Sequence, residues 1–246
     1  MSAKSYFTAA IEALQQVAET QADAIGAAAE ALSTTIQAGH SIYGFGATHS
    51  FILIEEMVYR TGGLMLVNPI YPHGMNLAVR PMTSTSRLER LHGLGTELLT
   101  MVPLAAGDCV IVASTSGRNA VPIEVAMGAR DQGATTIGIT SFAYTDGVGS
   151  RHVSGKKLRD VCDVVIDNGA PYGDAAAVIP GFSQAVGPLS TVTGCAVVNA
   201  MVAETVARLV KAGFSPPVFM SANLDGGDEY NARLLAENAY RIHYLH

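Results

Sequence analysis

The chain has 246 residues, 49% of them hydrophobic and only 15% charged, with a formal net charge of −6, so it suits one large domain, 1–246, better than two. The acidic balance excludes a general nucleic-acid surface, which needs a basic patch to displace phosphate counterions. The longest apolar stretch, VTGCAVVNAMVAETVARLV, is interrupted by Asn199, Glu204 and Arg208 and is not expected to span a membrane.

From Phe7, apolar residues recur at Ile11, Leu14, Ala18, Ile25, Ala29, Leu32 and Ile36, the spacing of one helical face, and Gly39 supplies a stop. One long helix is therefore predicted within 1–39, ahead of a core over 40–212. Five short runs rich in β-branched and apolar residues follow: SIYGFG from Ser41, LMLVNPI from Leu64, CVIVAS from Cys109, TTIGIT from Thr135 and DVVID from Asp163. Each reads as a strand buried on both faces. Between them lie helical patterns over Ser50–Arg60, over Ser86–Met101 with a capping box at Ser86-x-x-Glu89, and over Ala120–Gln132 closing on Gly133. Two more helices, Leu189–Lys211 and Glu229–Leu245, complete the pattern, the second within a helical segment 213–246. Alternating strand and helix specifies right-handed parallel crossovers, and hence a three-layer α/β/α sandwich around a five-stranded parallel sheet.

Ligands of open α/β sheets bind outside the carboxyl ends of the strands, so the loops there carry the functional reading. After the third strand comes Ser114-Thr115-Ser116-Gly117-Arg118-Asn119, then a helix with Pro122 in its first turn. Three hydroxyls, a glycine and the exposed N–H groups of a helix start make a phosphate cradle; the plainer reading is a serine-rich turn capped by Asn119. After the first strand comes Gly44-Phe45-Gly46-Ala47-Thr48-His49-Ser50. A dinucleotide fingerprint is disfavoured, because the third glycine is missing and the second strand ends Val67-Asn68-Pro69 without an acidic residue for a ribose.

These two loops, GFGAT and STSGRN, resemble the signature loops of the SIS (sugar isomerase) family, and TGGLMLVNPIYPHGMNL is similar to the second strand and following loop of its arabinose-phosphate isomerase branch. The resemblance runs from Ile42 to Lys211. It implies a flavodoxin-like sandwich without a redox cofactor, dimeric or tetrameric, with sites near subunit boundaries. It matches Ser114, Thr115, Ser116 and Asn119 to the phosphate loop, Asn119 offering an amide where the family has a hydroxyl, and Gly46 and Thr48 to the loop that approaches the sugar. Among the branches, the chain looks closest to phosphoheptose-isomerase-like proteins.

Aldose–ketose isomerisation needs a carboxylate or imidazole to move a proton between neighbouring carbons. Several enzymes of the family use a glutamate from the helix after the first loop, which here means Glu55 or Glu56; adjacent helical residues point different ways, so one of the pair at most faces a site. His49 and His73 can also approach the pocket, and neither shows a familiar metal-ligand spacing, so no metal is expected. The segment Ser150–Arg159 holds four of fifteen cationic side chains, among them Arg151 and Lys156, a local excess suited to an anion. Cys109, Cys162 and Cys195 sit in apolar runs and read as reduced core thiols. With no charged-then-apolar leader at the start, they predict a cytoplasmic protein. The low charged fraction predicts a homo-oligomer that covers apolar surface. The expected function is binding of a sugar phosphate with isomerisation through an enediol; the alternatives are a non-catalytic phosphosugar sensor and an amino-sugar-phosphate lyase or deaminating isomerase.

Overall fold

Stretches of β-branched residues with no polar face can only be stable with both sides covered, and five of them form the centre of the molecule. The computed structural model describes residues 2–245. Strands β1 (Ile42–Gly46), β2 (Val67–Pro69), β3 (Cys109–Ala113), β4 (Thr135–Thr140) and β5 (Val164–Asp167) pair in parallel in the order β2-β1-β3-β4-β5. Successive side chains alternate between two buried clusters. Ile42, Ile111, Ile137, Ile139 and Ile166 pack on one face, against helices α2 (Ala22–Gln37), α3 (Phe51–Glu55) and α8 (Ser190–Lys211). Tyr43, Phe45, Val110 and Val112 pack on the other, against α5 (Leu94–Thr100) and α6 (Ala120–Asp131). Each such fully buried aliphatic side chain contributes roughly 1.5–3 kcal/mol.

The three-layer sandwich and parallel sheet expected from the sequence are therefore present, and the details differ at element ends. The N-terminal helix is two, α1 (Ser2–Thr20) and α2, broken at Gln21, whose side-chain oxygen accepts the Asp167 N–H (3.0 Å). Strand β2 begins later than Leu64 because Leu64 bridges antiparallel to Val218 and the Met65 N–H goes to the Pro217 carbonyl. The Ser50–Arg60 helix is shorter, ending near Glu56 before Tyr59 turns left-handed (φ 48°). The Ser86–Met101 pattern splits into α4 (Ser84–Leu88) and α5 at Gly93, which is left-handed (φ 87°), and the Ser86 capping box does not form.

A short helix α7 (Phe142–Asp146) follows β4, and a small antiparallel hairpin, β6 (Ala175–Ala177) with β7 (Val186–Pro188), follows β5. The last helix, α9 (Gly227–Glu237), is opened by left-handed Gly226, with Asp228 inside its first turn rather than capping it. It stops at Asn238, because buried Arg241 donates to the Ile36 carbonyl (2.8 Å) and to Asn238 Oδ1 (2.7 Å), drawing the chain off the helix axis. The tail then shields the β2 edge: Asn68 Nδ2 donates to the Arg241 carbonyl and Asn68 Oδ1 accepts the His243 N–H.

Helix α8 is long and apolar enough to cross a membrane by composition. Here its buried face, which includes Val197, Val198, Met201 and Leu209, packs into the core. Gly194 lets α3 approach it, since a Cβ there would lie 2.6 Å from the Leu53 side chain.

Candidate functional site

The chain leaves β1 toward β2 on one side and enters β3 on the other, so the strand order reverses between β1 and β3. That reversal opens a crevice at their carboxyl ends, the place where open α/β sheets bind ligands. Gly46 and Ala113 are register partners at the last rung, so the turns that follow them start side by side. Together they frame a cleft of about 330 Å³, lined by Thr48, His49 and Ser50 from the first turn and by Ser114, Thr115, Ser116 and Asn119 from the second. Glu89, Tyr144, Asp174 and Ser190 complete its wall.

The second turn is held from behind. The Thr115 carbonyl accepts from the Ser141 N–H (2.9 Å) and Thr140 Oγ1 (3.1 Å), the Ser116 carbonyl from Thr145 Oγ1 (3.1 Å), and the Gly117 carbonyl from the Leu158 N–H (2.8 Å). Gly117 is left-handed (φ 59°), and a Cβ there would meet Thr140 Oγ1 at 2.8 Å. The carbonyls thus turn away from the cleft, and among the described residues the hydroxyls of Ser114, Thr115 and Ser116 have no protein partner. The Gly117 N–H is taken by the Ser114 carbonyl (3.1 Å), while the N–H groups of Thr115 and Ser116 have no protein partner among the described residues and remain for an anion. Asn119 does not use its side chain as a helix cap. Its Oδ1 instead accepts from Arg151 Nη1 (2.9 Å).

Glu89 is the cleft carboxyl that the sequence pattern disguised as half of a capping box. It lies at the end of α4, and its carbonyl accepts the Val121 N–H of α6 (3.2 Å). Burial raises its carboxyl above the ordinary range, while the Asn119 amide and the guanidiniums of Arg90 and Arg151 pull it partly back. Arg151 is lowered by what burial it has and by the like charges of Arg118 and Arg90. Three guanidiniums therefore share this corner with one carboxyl, and the Nε–H of Arg118 is buried without an acceptor among the described residues. Such an excess of donors and positive charge is complementary to an anion. Asp174, the other cleft carboxylate, is occupied: it accepts the Ser190 N–H (2.7 Å) and the Ser190 hydroxyl (2.5 Å) at the start of α8.

The remaining sequence candidates separate clearly. Thr48 and His49 line the cleft, Thr48 with a left-handed backbone (φ 53°) fixed by its N–H to the Met75 carbonyl (2.8 Å). Gly46 is a packing residue, because a Cβ there would lie 2.5 Å from the Ser50 carbonyl oxygen, where α3 begins. Glu55 is exposed beside Tyr71 and Pro69, and Glu56 pairs with Arg60 and accepts from Asn199 (2.8 Å); neither lines the cleft. His73 is exposed on the loop after β2. Arg151 reaches the cleft only through Asn119, and Lys156 is exposed on a loop folded on itself by Ser150 Oγ to the Lys156 carbonyl (2.6 Å). Burial raises the thiols of Cys109 and Cys162, the latter to about 12, so neither is a nucleophile.

A doubly wound parallel sheet with a donor-rich turn beside a cleft at its switch point defines the class of the fold, an α/β sandwich of the flavodoxin-like kind. The SIS domain model matches residues 5–141, more than half of the chain, and the protein belongs to the SIS domain family. It is 42% identical to a UPF0309 protein of Shouchella clausii over 242 residues, 98% of each chain. It is likewise 42% identical to a UPF0309 protein of Streptomyces griseus, over 99% of this chain and 98% of the other. Among solved structures, phosphoheptose isomerase from Neisseria gonorrhoeae superposes with a TM-score of 0.54 at 16% identity, covering 83% of this chain and 97% of that one. A phosphoheptose isomerase from Francisella tularensis gives 0.54 at 13% identity, over 82% and 95%. At these identities the structures establish a shared fold.

Proposed function

We propose that the protein binds a sugar phosphate in the β1/β3 cleft and interconverts its aldose and ketose forms through an enediol. The observation that carries this reading is the turn Ser114–Asn119: the carbonyls of Thr115, Ser116 and Gly117 are engaged behind it, and its hydroxyls are unspent beside a helix start. The phosphoryl oxygens accept from those hydroxyls and from the N–H groups of Thr115 and Ser116, with the Asn119 amide and the nearby guanidiniums adding donors and charge. The sugar then lies toward Thr48 and His49 on the other wall.

Proton transfer between the carbon next to the carbonyl and the carbonyl carbon falls to Glu89, with His49 across the cleft to serve the oxygens. A carboxyl raised by desolvation is a better base for such a proton than a solvated one. Glu55 and Glu56, which the resemblance favours, enter the chemistry only if a neighbouring subunit's cleft lies against α3. The exposed Phe7 and Ile11 on α1, and a charged fraction of 15%, support self-association, which sedimentation velocity measures directly.

The test is a thermal-shift screen against pentose, hexose, heptose and amino-sugar phosphates, each beside its unphosphorylated sugar, since a ligand of the folded state alone raises apparent stability. A hit is then incubated in D2O and followed by proton NMR. Exchange of the proton beside the carbonyl identifies an isomerase, and binding without exchange identifies a sensor. Equal stabilisation by phosphorylated and unphosphorylated sugars would overturn the reading.

A further inference from the structure

We propose that His92, Glu124 and His152 hold a divalent transition-metal ion, zinc by the chemistry of the ligand set, at a site separate from the cleft lining. The three residues come from the α4–α5 connector, from α6 and from the loop after α7. One ligand atom from each lies within 4.8 Å of the others. His92 Nδ1 stands 3.6 Å, and His152 Nε2 3.8 Å, from the same oxygen of Glu124, Oε1.

Both separations are too long for hydrogen bonds. Two ligands on one tetrahedral zinc, each about 2.0–2.1 Å from the metal, stand about 3.3 Å apart. A contraction of a few tenths of an ångström brings each histidine to that distance from Oε1, and the two ring nitrogens, within 4.8 Å of each other, close by up to about 1.5 Å.

The charge balance points the same way. The Glu124 side chain is 9% exposed, and among the described residues it meets no lysine or arginine. Its oxygens accept the Gly93 N–H (2.8 Å) and the Gly95 N–H (2.9 Å), which orient the carboxylate but bring no positive charge. Gly95 admits this approach because a Cβ there would lie 2.6 Å from Glu124 Cβ. A buried carboxylate is stable when paired or when it ligates a metal, and a dication supplies what the surroundings lack. His152 has the outer support typical of a ligand: Nδ1 is 2.7 Å from Ser154 Oγ, so Nδ1–H can donate there and leave the Nε2 lone pair toward Glu124. The longer approach of the Ser154 N–H to the same Nδ1 (3.3 Å) belongs to the other tautomer and is the weaker contact. His92, 45% exposed, leaves an entry path and a fourth position for water.

Such an ion ties down the two loops that place Glu89, three residues before His92, and Arg151, next to His152, against Asn119. Its role is to position that charged corner of the cleft.

The full-length protein, stripped with chelator, is titrated with Zn²⁺ by calorimetry and with Co²⁺ by visible absorption, in buffer free of sugar phosphate. The expected result is one ion per chain, with the intense visible bands of tetrahedral Co²⁺. His92→Ala and His152→Ala each weaken Zn²⁺ binding by about 100-fold or more, and Ser154→Ala by about tenfold, as loss of an outer partner does. His73→Ala, outside the ligand set, binds as the parent does. His92 is exposed enough that its replacement leaves the fold intact, which keeps the comparison usable if His152→Ala is unstable. Equal Zn²⁺ affinity in His92→Ala and His73→Ala, or an octahedral Co²⁺ spectrum, overturns the site. Because the readout is metal binding alone, its outcome is independent of the sugar reading.

Discussion

Helix α3 and the end of α4 each present carboxyl groups near the carboxyl edge of the sheet, and their surroundings could hardly differ more. Glu56 is compensated on the surface by Arg60 and Asn199, and Glu55 faces solvent. Glu89 is half-buried against Asn119 in the wall of the cleft, its carboxyl raised by desolvation. The chemical group is the same in both places. Its reactivity is set by how much water and how many donors reach it.

The contrast is broken or sharpened first by exchanging each carboxylate for its amide. Glu89→Gln is expected to lower turnover by about 10²–10⁴-fold, the usual contribution of a positioned acid–base group, while phosphosugar affinity stays within a few-fold. Glu56→Gln, measured in the same deuterium-exchange assay, is expected to change turnover by less than about threefold and stability by less than about 1 kcal/mol, as exposed ion pairs do. A large loss on Glu56→Gln with little on Glu89→Gln would move the base to α3 and require a second subunit at the cleft. The next largest effect belongs to the anchor. Ser116→Asp places a negative charge where the phosphoryl group sits and should weaken phosphosugar binding by at least about 100-fold, like-charge contact costing several kcal/mol. Ser116→Ala should weaken it by roughly tenfold, the cost of a hydrogen bond to a charged group. Binding of the unphosphorylated sugar, read by calorimetry, should barely change in either variant.

A smaller effect follows from the pH dependence of stability. A carboxyl raised in the folded state contributes stability that is complete below the ordinary carboxyl range and is withdrawn as pH rises through the raised value. Wild type should therefore lose stability relative to Glu89→Gln as pH rises from about 4 to 7. Urea midpoints taken across that interval test the sign. A parallel pair of curves would mean that Glu89 is as well solvated as the α3 carboxylates.

The two turns of the cleft were legible in the sequence because their chemistry is local. β-branched runs end in GFGATHS and STSGRN, and neighbouring strands bring those ends together. Glu89 was hidden because Ser86-x-x-Glu89 has the spacing of a cap. The helix starts earlier, at Ser84, so Ser86 lies inside it and Glu89 falls at its end, in the cleft wall. Gly46 shows the converse: its place in a ligand-loop pattern is explained by Ser50 and Phe51 packing against its bare Cα. The hairpin β6–β7 carries little strand preference in Ala175–Ala177, and its position depends on Asp174 reaching back to α8. The His92, Glu124 and His152 group draws on three distant segments, so no window of sequence contains it.

Thr48 offers the finest comparison between the turns. In the β3 turn the left-handed position is filled by Gly117, without steric cost; in the β1 turn it falls next to Ala47 on a β-branched residue. A non-glycine residue held there stores roughly 1–3 kcal/mol, and the bond from the Thr48 N–H to the Met75 carbonyl (2.8 Å) holds it there. Thr48→Gly should therefore stabilise the fold by up to about 1 kcal/mol, net of the added freedom of the unfolded chain, while weakening the bound sugar by a few-fold. Thr48→Asn, tolerant of the same backbone, should keep much of the stability gain with a polar group still present. If both variants are less stable than wild type in urea denaturation, the left-handed turn is held by contacts of the threonine side chain itself, and the difference between the two turns is one of packing.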